Sequence, residues 1–197
     1  MEFKRDWEKT KQRLLLLWKR ELLDRCCISV TAPKDPRDPY IEQKPTEPDA
    51  LRGWYNDAEW ILKRNIERFE KTYFAGDALP CIFPYFGTGG HAKYIVPEEQ
   101  TVYEPDTIWI NPIEEELPDY DFRFDPQTNP VFQRELSIIR YLAEEGEGRF
   151  FVGPPDNCGS YDALSQLRGP ENLLIDLIEA GQEVKHAAAQ MLSLIHI

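Results

Sequence analysis

Two apolar runs, each closed by a loop of glycine or proline and followed by helical periodicity, restrict what this chain can fold into more than any other feature. Leu79–Phe86 is nearly all apolar and stops at Gly87-Thr88-Gly89-Gly90. Arg149–Gly153 (RFFVG) runs into PPDNCGS, after which residues 160–167 form a short helical segment. A strand that is apolar on both faces must be covered on both faces, as helices cover a parallel sheet. Strand followed by helix, more than once, therefore predicts an α/β fold with a largely parallel sheet. In such folds ligands bind beyond the carboxyl ends of the strands. The Gly87–Gly90 turn and the Asp156-Asn157 loop are accordingly expected at one end of one sheet, with strands 79–86 and 149–153 parallel.

The remaining segments fit around these two. Residues 3–24 have helical spacing, with Phe3 and Trp7, then Leu14, Trp18 and Leu22, on an apolar stripe and the charges on a solvated face. Cys27–Thr31 reads as a short strand, and five prolines across residues 32–50 predict an extended connection. A helix is expected from Asn56 to Phe74, carrying Leu62, Ile66, Phe69 and Tyr73 and stopped by Gly76-Asp77. A short helix is expected from His91 to Ile95 after the glycine turn, Thr107–Ile110 is a further strand, and residues 112–128, acidic and proline-dotted, are expected to be an exposed excursion. Asn129-Pro130 is an N-cap followed by proline at the first helical position. Two more helices follow Gly169-Pro170 and Gly181.

Composition narrows the function classes. Apolar residues make up 42 % and charged residues 29 % of 197, the profile of a globular protein, and the net charge is −12. An acidic surface repels phosphate backbones and anionic lipid, so neither nucleic acid nor membrane is expected as a partner. Met1 leads into Glu2, Lys4, Arg5 and Asp6 rather than an apolar core, and the longest apolar run, Leu14–Trp18, is too short to span a bilayer. Cys26, Cys27, Cys81 and Cys158 lack a C-x-x-C pair and are expected as reduced, buried thiols of a cytoplasmic protein.

The candidate ligand residues are Gly87, Thr88 and Gly89, whose backbone N–H groups suit a carboxylate or phosphate, and Asp156, Asn157 and Tyr161 of the second loop. For the turn, a plain tight turn is the alternative; for the loop, local turn and capping work. The glycines match neither the Walker pattern nor G-x-G-x-x-G. His91, His186 and His196 have no metal-ligand spacing and are expected to be surface or satisfied histidines. No catalytic residue can be assigned.

Residues 149–192, RFFVG–PPDNCGS–YDALSQLRG–PENLLIDLIEAGQEVKHAAAQML, resemble the uroporphyrinogen decarboxylase superfamily, which also contains methylcobamide methyltransferases. DALPCIFPYFGTGG at 77–90, DTIWINP at 106–112 and the opening ELLDRCCISVTAP are similar to its corrinoid-associated branch. The resemblance implies the N-terminal portion of an incomplete TIM (β/α)8 barrel over residues 1–191, with 1–50 as N-terminal helix, short strand and proline-rich connection. It further implies a corrinoid-linked methyltransferase-type parent that uses zinc and a corrinoid, with a corrinoid protein or a small methyl donor or acceptor as partner. The zinc ligands of that branch, a His-x-Cys pair and a distant Cys, lie in the second half of the barrel. A uroporphyrinogen decarboxylase is the alternative, but its R-Q-A-G-R-Y motif is not matched. Its catalytic aspartate position falls on Leu79, with Asp77 two positions out of register, and its substrate tyrosine falls on Ser165, one turn after Tyr161. A third reading is a non-catalytic module holding a corrinoid or a corrinoid protein.

The last six residues, Leu192–Ile197, match the translation of a transposon end used in sequencing libraries and are expected to be adapter-derived. On that reading the isolated polypeptide, an unclosed barrel, should aggregate and show neither methyl transfer nor decarboxylation.

Overall fold

A computed structural model describes residues 1–113 and 116–194. In chain order the elements are α1 (Trp7–Trp18), β1 (Ser29–Pro33), α2 (Pro48–Asn56), α3 (Ala58–Lys71), β2 (Thr72–Gly76), β3 (Cys81–Ile82), β4 (Thr101–Tyr103), β5 (Ile108–Ile110), α4 (Pro130–Gly146), β6 (Phe151–Val152), α5 (Ser160–Arg168), α6 (Pro170–Glu179) and α7 (Gly181–Ser193). Short 3-10 turns cover Gly90–Tyr94, Glu98–Gln100 and Leu117–Asp119. The fold is mixed α/β, with three two-stranded sheets among the described residues, β1-β2, β3-β6 and β4-β5, and none of them closes into a barrel. The chain divides into two compact units.

The first unit comprises residues 1–43, 57–84 and 138–154. Asp57 caps α3 by accepting a hydrogen bond from the Trp60 N–H. The helix stops at Lys71 rather than Phe74, because Thr72-Tyr73-Phe74 turns extended and pairs antiparallel with β1, from Ser29↔Gly76 to Pro33↔Thr72. β-branched and aromatic residues favour that strand over a further helical turn. Phe69 is fully buried and meets the rings of Phe3, Phe74 and Phe150. β3 and β6 pair in parallel, Cys81↔Phe151 and Ile82↔Val152, as expected from the two apolar runs, although each strand is only two residues long. α1 departs from its expected stripe. It buries Thr10 and Arg13, while Trp18 and Leu22 are exposed, because Arg13 turns inward to an aspartate.

The second unit comprises residues 44–56, 85–137 and 155–197. The proline-rich stretch ends in α2, whose Leu51, Trp54 and Tyr55 pack with Ile108, a helix that the prolines masked. β4 pairs antiparallel with β5, Thr101↔Ile110 to Tyr103↔Ile108. The larger core joins Ile110, Ile113, Leu117 and Phe122 to α5, α6 and α7. Residues 112–128 are therefore not a solvated excursion where described: Ile113, Leu117 and Phe122 are core, and Glu116, Asp119, Asp121 and Asp125 are exposed. Glu114 and Glu115 lie outside the described residues. Asn129 caps α4 as expected, Oδ1 accepting from the Phe132 N–H at 3.0 Å. α7 continues through Leu192 to Ser193, and of the expected adapter-derived end residues 195–197 lie outside the described residues.

Candidate functional site

The loops that follow β3 and β6 come together in the second unit. Three close approaches explain the glycines of the first loop. Gly87 has φ +94°, and a Cβ there would stand 2.5 Å from Ile108 Cβ; a Cβ on Gly89 would stand 2.6 Å from Ile110 Cδ1. Gly90 has φ +51°, and a Cβ on it would collide with Cys158 Sγ. Only glycine combines that backbone conformation with that approach. Gly87 and Gly89 are buried, and Thr88 donates its hydroxyl to the Ile108 carbonyl at 3.3 Å. The turn thus serves packing against β5 and the second loop.

Asp156, Asn157 and Tyr161 are exposed. Of the sequence-predicted residues, Asn157 is the one that reaches across to the first loop, and its partner is a residue that sequence reasoning set aside. His91, expected at the surface or satisfied, is 2 % exposed, with Nδ1 3.2 Å from Asn157 Oδ1. With the amide oriented this way its oxygen accepts, so Nδ1 carries the proton and Nε2 keeps a lone pair. Nε2 is buried and has no hydrogen-bond partner among the described residues. Burial holds this imidazole below the ordinary histidine range; the Asn157 oxygen works the other way, and the Lys93 ammonium adds to the lowering.

Beside His91 in sequence is a buried ion pair. Lys93 Nζ lies 2.7 Å from Glu135 Oε1 and also donates to the Phe86 carbonyl at 3.2 Å. The Tyr94 hydroxyl donates to Glu135 Oε2 at 2.7 Å. Burial pushes Lys93 down and Glu135 up, and their mutual attraction opposes both. Both carboxylate oxygens of Glu135 are thereby engaged. The Cys158 thiol is half-buried, free, and pushed up by burial and then by Asp162 and Asp156, which makes it a poor nucleophile. The other cysteines depart from the buried expectation too: Cys26 is exposed, and Cys27 and Cys81 are half-buried.

Asp77, the acid nearest the decarboxylase register, is in the first unit and is fully engaged. It accepts from Arg13 at 3.0 Å, Arg25 at 2.6 Å and the Ile28 N–H at 3.0 Å. Burial alone would raise it, but the Ile28 N–H and the two guanidinium groups outweigh that and leave it below the usual carboxylate range. Among the described residues, no three of His, Cys, Asp and Glu gather as a metal-ion cluster; the zinc ligands that the resemblance implies belong to the second half of the barrel. A cleft of about 910 Å³, which sequence reasoning missed, is lined by residues 120–126 with Gln190, Ser193 and Leu194, and by none of the expected site residues.

Comparison with protein-family models, with characterised proteins and with solved structures gave no match to this chain.

Proposed function

We propose that this chain belongs to a corrinoid-linked, methyltransferase-type enzyme of the uroporphyrinogen decarboxylase superfamily, contributing strands whose carboxyl-end loops line the small-molecule site. The observation that carries the reading is the parallel pairing of β3 with β6, together with the meeting of the two loops that follow them at His91 and Asn157. That is where ligands bind in α/β folds. The motifs of residues 77–90 and 149–192 supply the family. The engagement of Asp77 by two arginines favours the methyltransferase branch over decarboxylation, because a carboxylate so held is not free to meet a substrate. The chain's own share of the chemistry is to position and desolvate a ligand group at the loop junction; no metal step is assigned to its residues.

Equilibrium dialysis of the purified chain against methylcob(III)alamin and, separately, uroporphyrin tests this. Retention of the corrinoid alone is expected. Retention of uroporphyrin alone would favour the decarboxylase, and retention of neither would contradict both.

A further inference from the structure

We infer that His91 is the polar anchor of a ligand site beneath the second loop, where its Nε2 accepts a hydrogen bond from a neutral O–H or N–H group and has no proton to offer an anion. The inference rests on the reading that the strand-end loops form the small-molecule site, and it names the chemistry that the site takes.

Three observations converge. First, the imidazole is 2 % exposed and its Nε2 lacks a partner among the described residues, whereas a buried acceptor left unpaired bears its full loss of hydration. Second, Asn157 fixes which nitrogen is free. The contact from Nδ1 to Oδ1 leaves Nε2 as a pure acceptor, a group that attracts donors and repels carboxylate or phosphate. Third, the cover is thin. Asn157 is exposed and bonded to the buried ring, which therefore lies one hydrogen bond from solvent. The charge that acts on the ring itself is the Lys93 ammonium, which disfavours a cationic ligand and leaves a neutral donor. The backbone N–H groups of Gly87 and Gly89, expected to hold an anion, lie in a buried turn packed on β5. The preference therefore runs toward donors rather than toward phosphate or carboxylate. Asn157 is a positioning residue: it sets the tautomer.

The test uses the full chain labelled with 15N-histidine, the His91 resonances being assigned by their loss in His91→Phe. His186→Gln, at an exposed position, combined with His196→Gln, assigns by elimination if His91→Phe does not fold. Phenol and 2-pyrrolidinone are the donor probes. Anisole and N-methyl-2-pyrrolidinone match their shapes without the donor, and benzoate supplies the anion. A saturable upfield movement of the Nε2 resonance with the two donor probes, absent with the other three, is the expected result. In Asn157→Leu, donor affinity should fall about tenfold, the ordinary net value of one hydrogen bond. No saturable movement with either donor, or equal movement with anisole or benzoate, overturns the inference. The nitrogen shift reports the acceptor whether or not a corrinoid is retained in dialysis, so the two readings fail separately.

Discussion

The two units pair their buried charges alike but differ in the buried polar atoms they leave without a hydrogen bond. In the first, Lys4, Thr10, Arg13 and Asp77 are all buried, and each is answered. Lys4 Nζ meets the Phe74 and Gly76 carbonyls and Asp6, Thr10 donates to the Gly76 carbonyl, and Arg13 spans Asp24 and Asp77. In the second, Lys93 and Glu135 are answered by each other, yet His91 Nε2, Gln100 Oε1 and Arg134 Nε have no hydrogen-bond partner among the described residues. A closed network ties α1 and the 24–28 segment to the end of β2 and has nothing left to bind with. An open acceptor beside a strand-end loop is a cost that only a ligand or a solvent molecule repays, which is why function is sought in the second unit and stability in the first.

The largest expected effect tests the closed half of that contrast. Asp77→Ala removes one acceptor from two guanidinium groups and the Ile28 N–H, and should cost about 3–5 kcal/mol in urea unfolding, as breaking a buried pair does. A loss below about 1 kcal/mol, the value of a surface pair, would mean that the network is solvated and the contrast is false.

Glu135→Leu comes next, stranding the Lys93 ammonium at a cost on the order of 3 kcal/mol, much of which Lys93→Met should restore in the double variant. Absence of that restoration would show that the two residues do not act as a pair. Gly90→Ala should cost about 1–3 kcal/mol for its positive φ and its collision with Cys158, with Cys158→Ala relieving only the collision.

Much of this organisation is legible in the residues. The apolar runs at 79–86 and 149–153 announced the parallel pair, and Asn129-Pro130 and Gly169-Pro170 the helix starts. Local chemistry dictates these features, so local reading recovers them. What escaped depends on distant partners. The extended Thr72–Gly76 exists because β1 pairs with it, and helical periodicity through Tyr73 hid it. Acids and prolines dominate the composition of the 112–128 segment, while Ile113, Leu117 and Phe122 go to the core. Of the site, the two loops were legible but His91 was not. A signal was present in Glu135, which shares a helical stripe with buried Val131, Ile138 and Leu142: a charge on an apolar stripe needs a buried counter-charge, and Lys93, two residues beyond His91, is that partner.

The smallest expected effects belong to His91. His91→Phe removes an unpaired acceptor while keeping an aromatic ring, so at pH 7.5 stability should change by no more than about 1 kcal/mol. Its signature lies in the pH dependence. The folded imidazole titrates below the free value, so the unfolded chain takes up the proton first. That contribution to stability is whole above pH about 6.5 and is lost as the pH falls from there toward the folded value. The wild-type chain should therefore lose stability between about pH 6.5 and 5 more steeply than His91→Phe. Parallel pH profiles for the two proteins would place the imidazole in water.

The protonation state of His91 in the ligand-free chain tests the central claim most directly. In a two-bond 15N–1H correlation spectrum at pH 7, the account predicts a neutral ring with the proton on Nδ1 and a lone pair on Nε2. A ring protonated on Nε2, or an imidazolium at that pH, would contradict it.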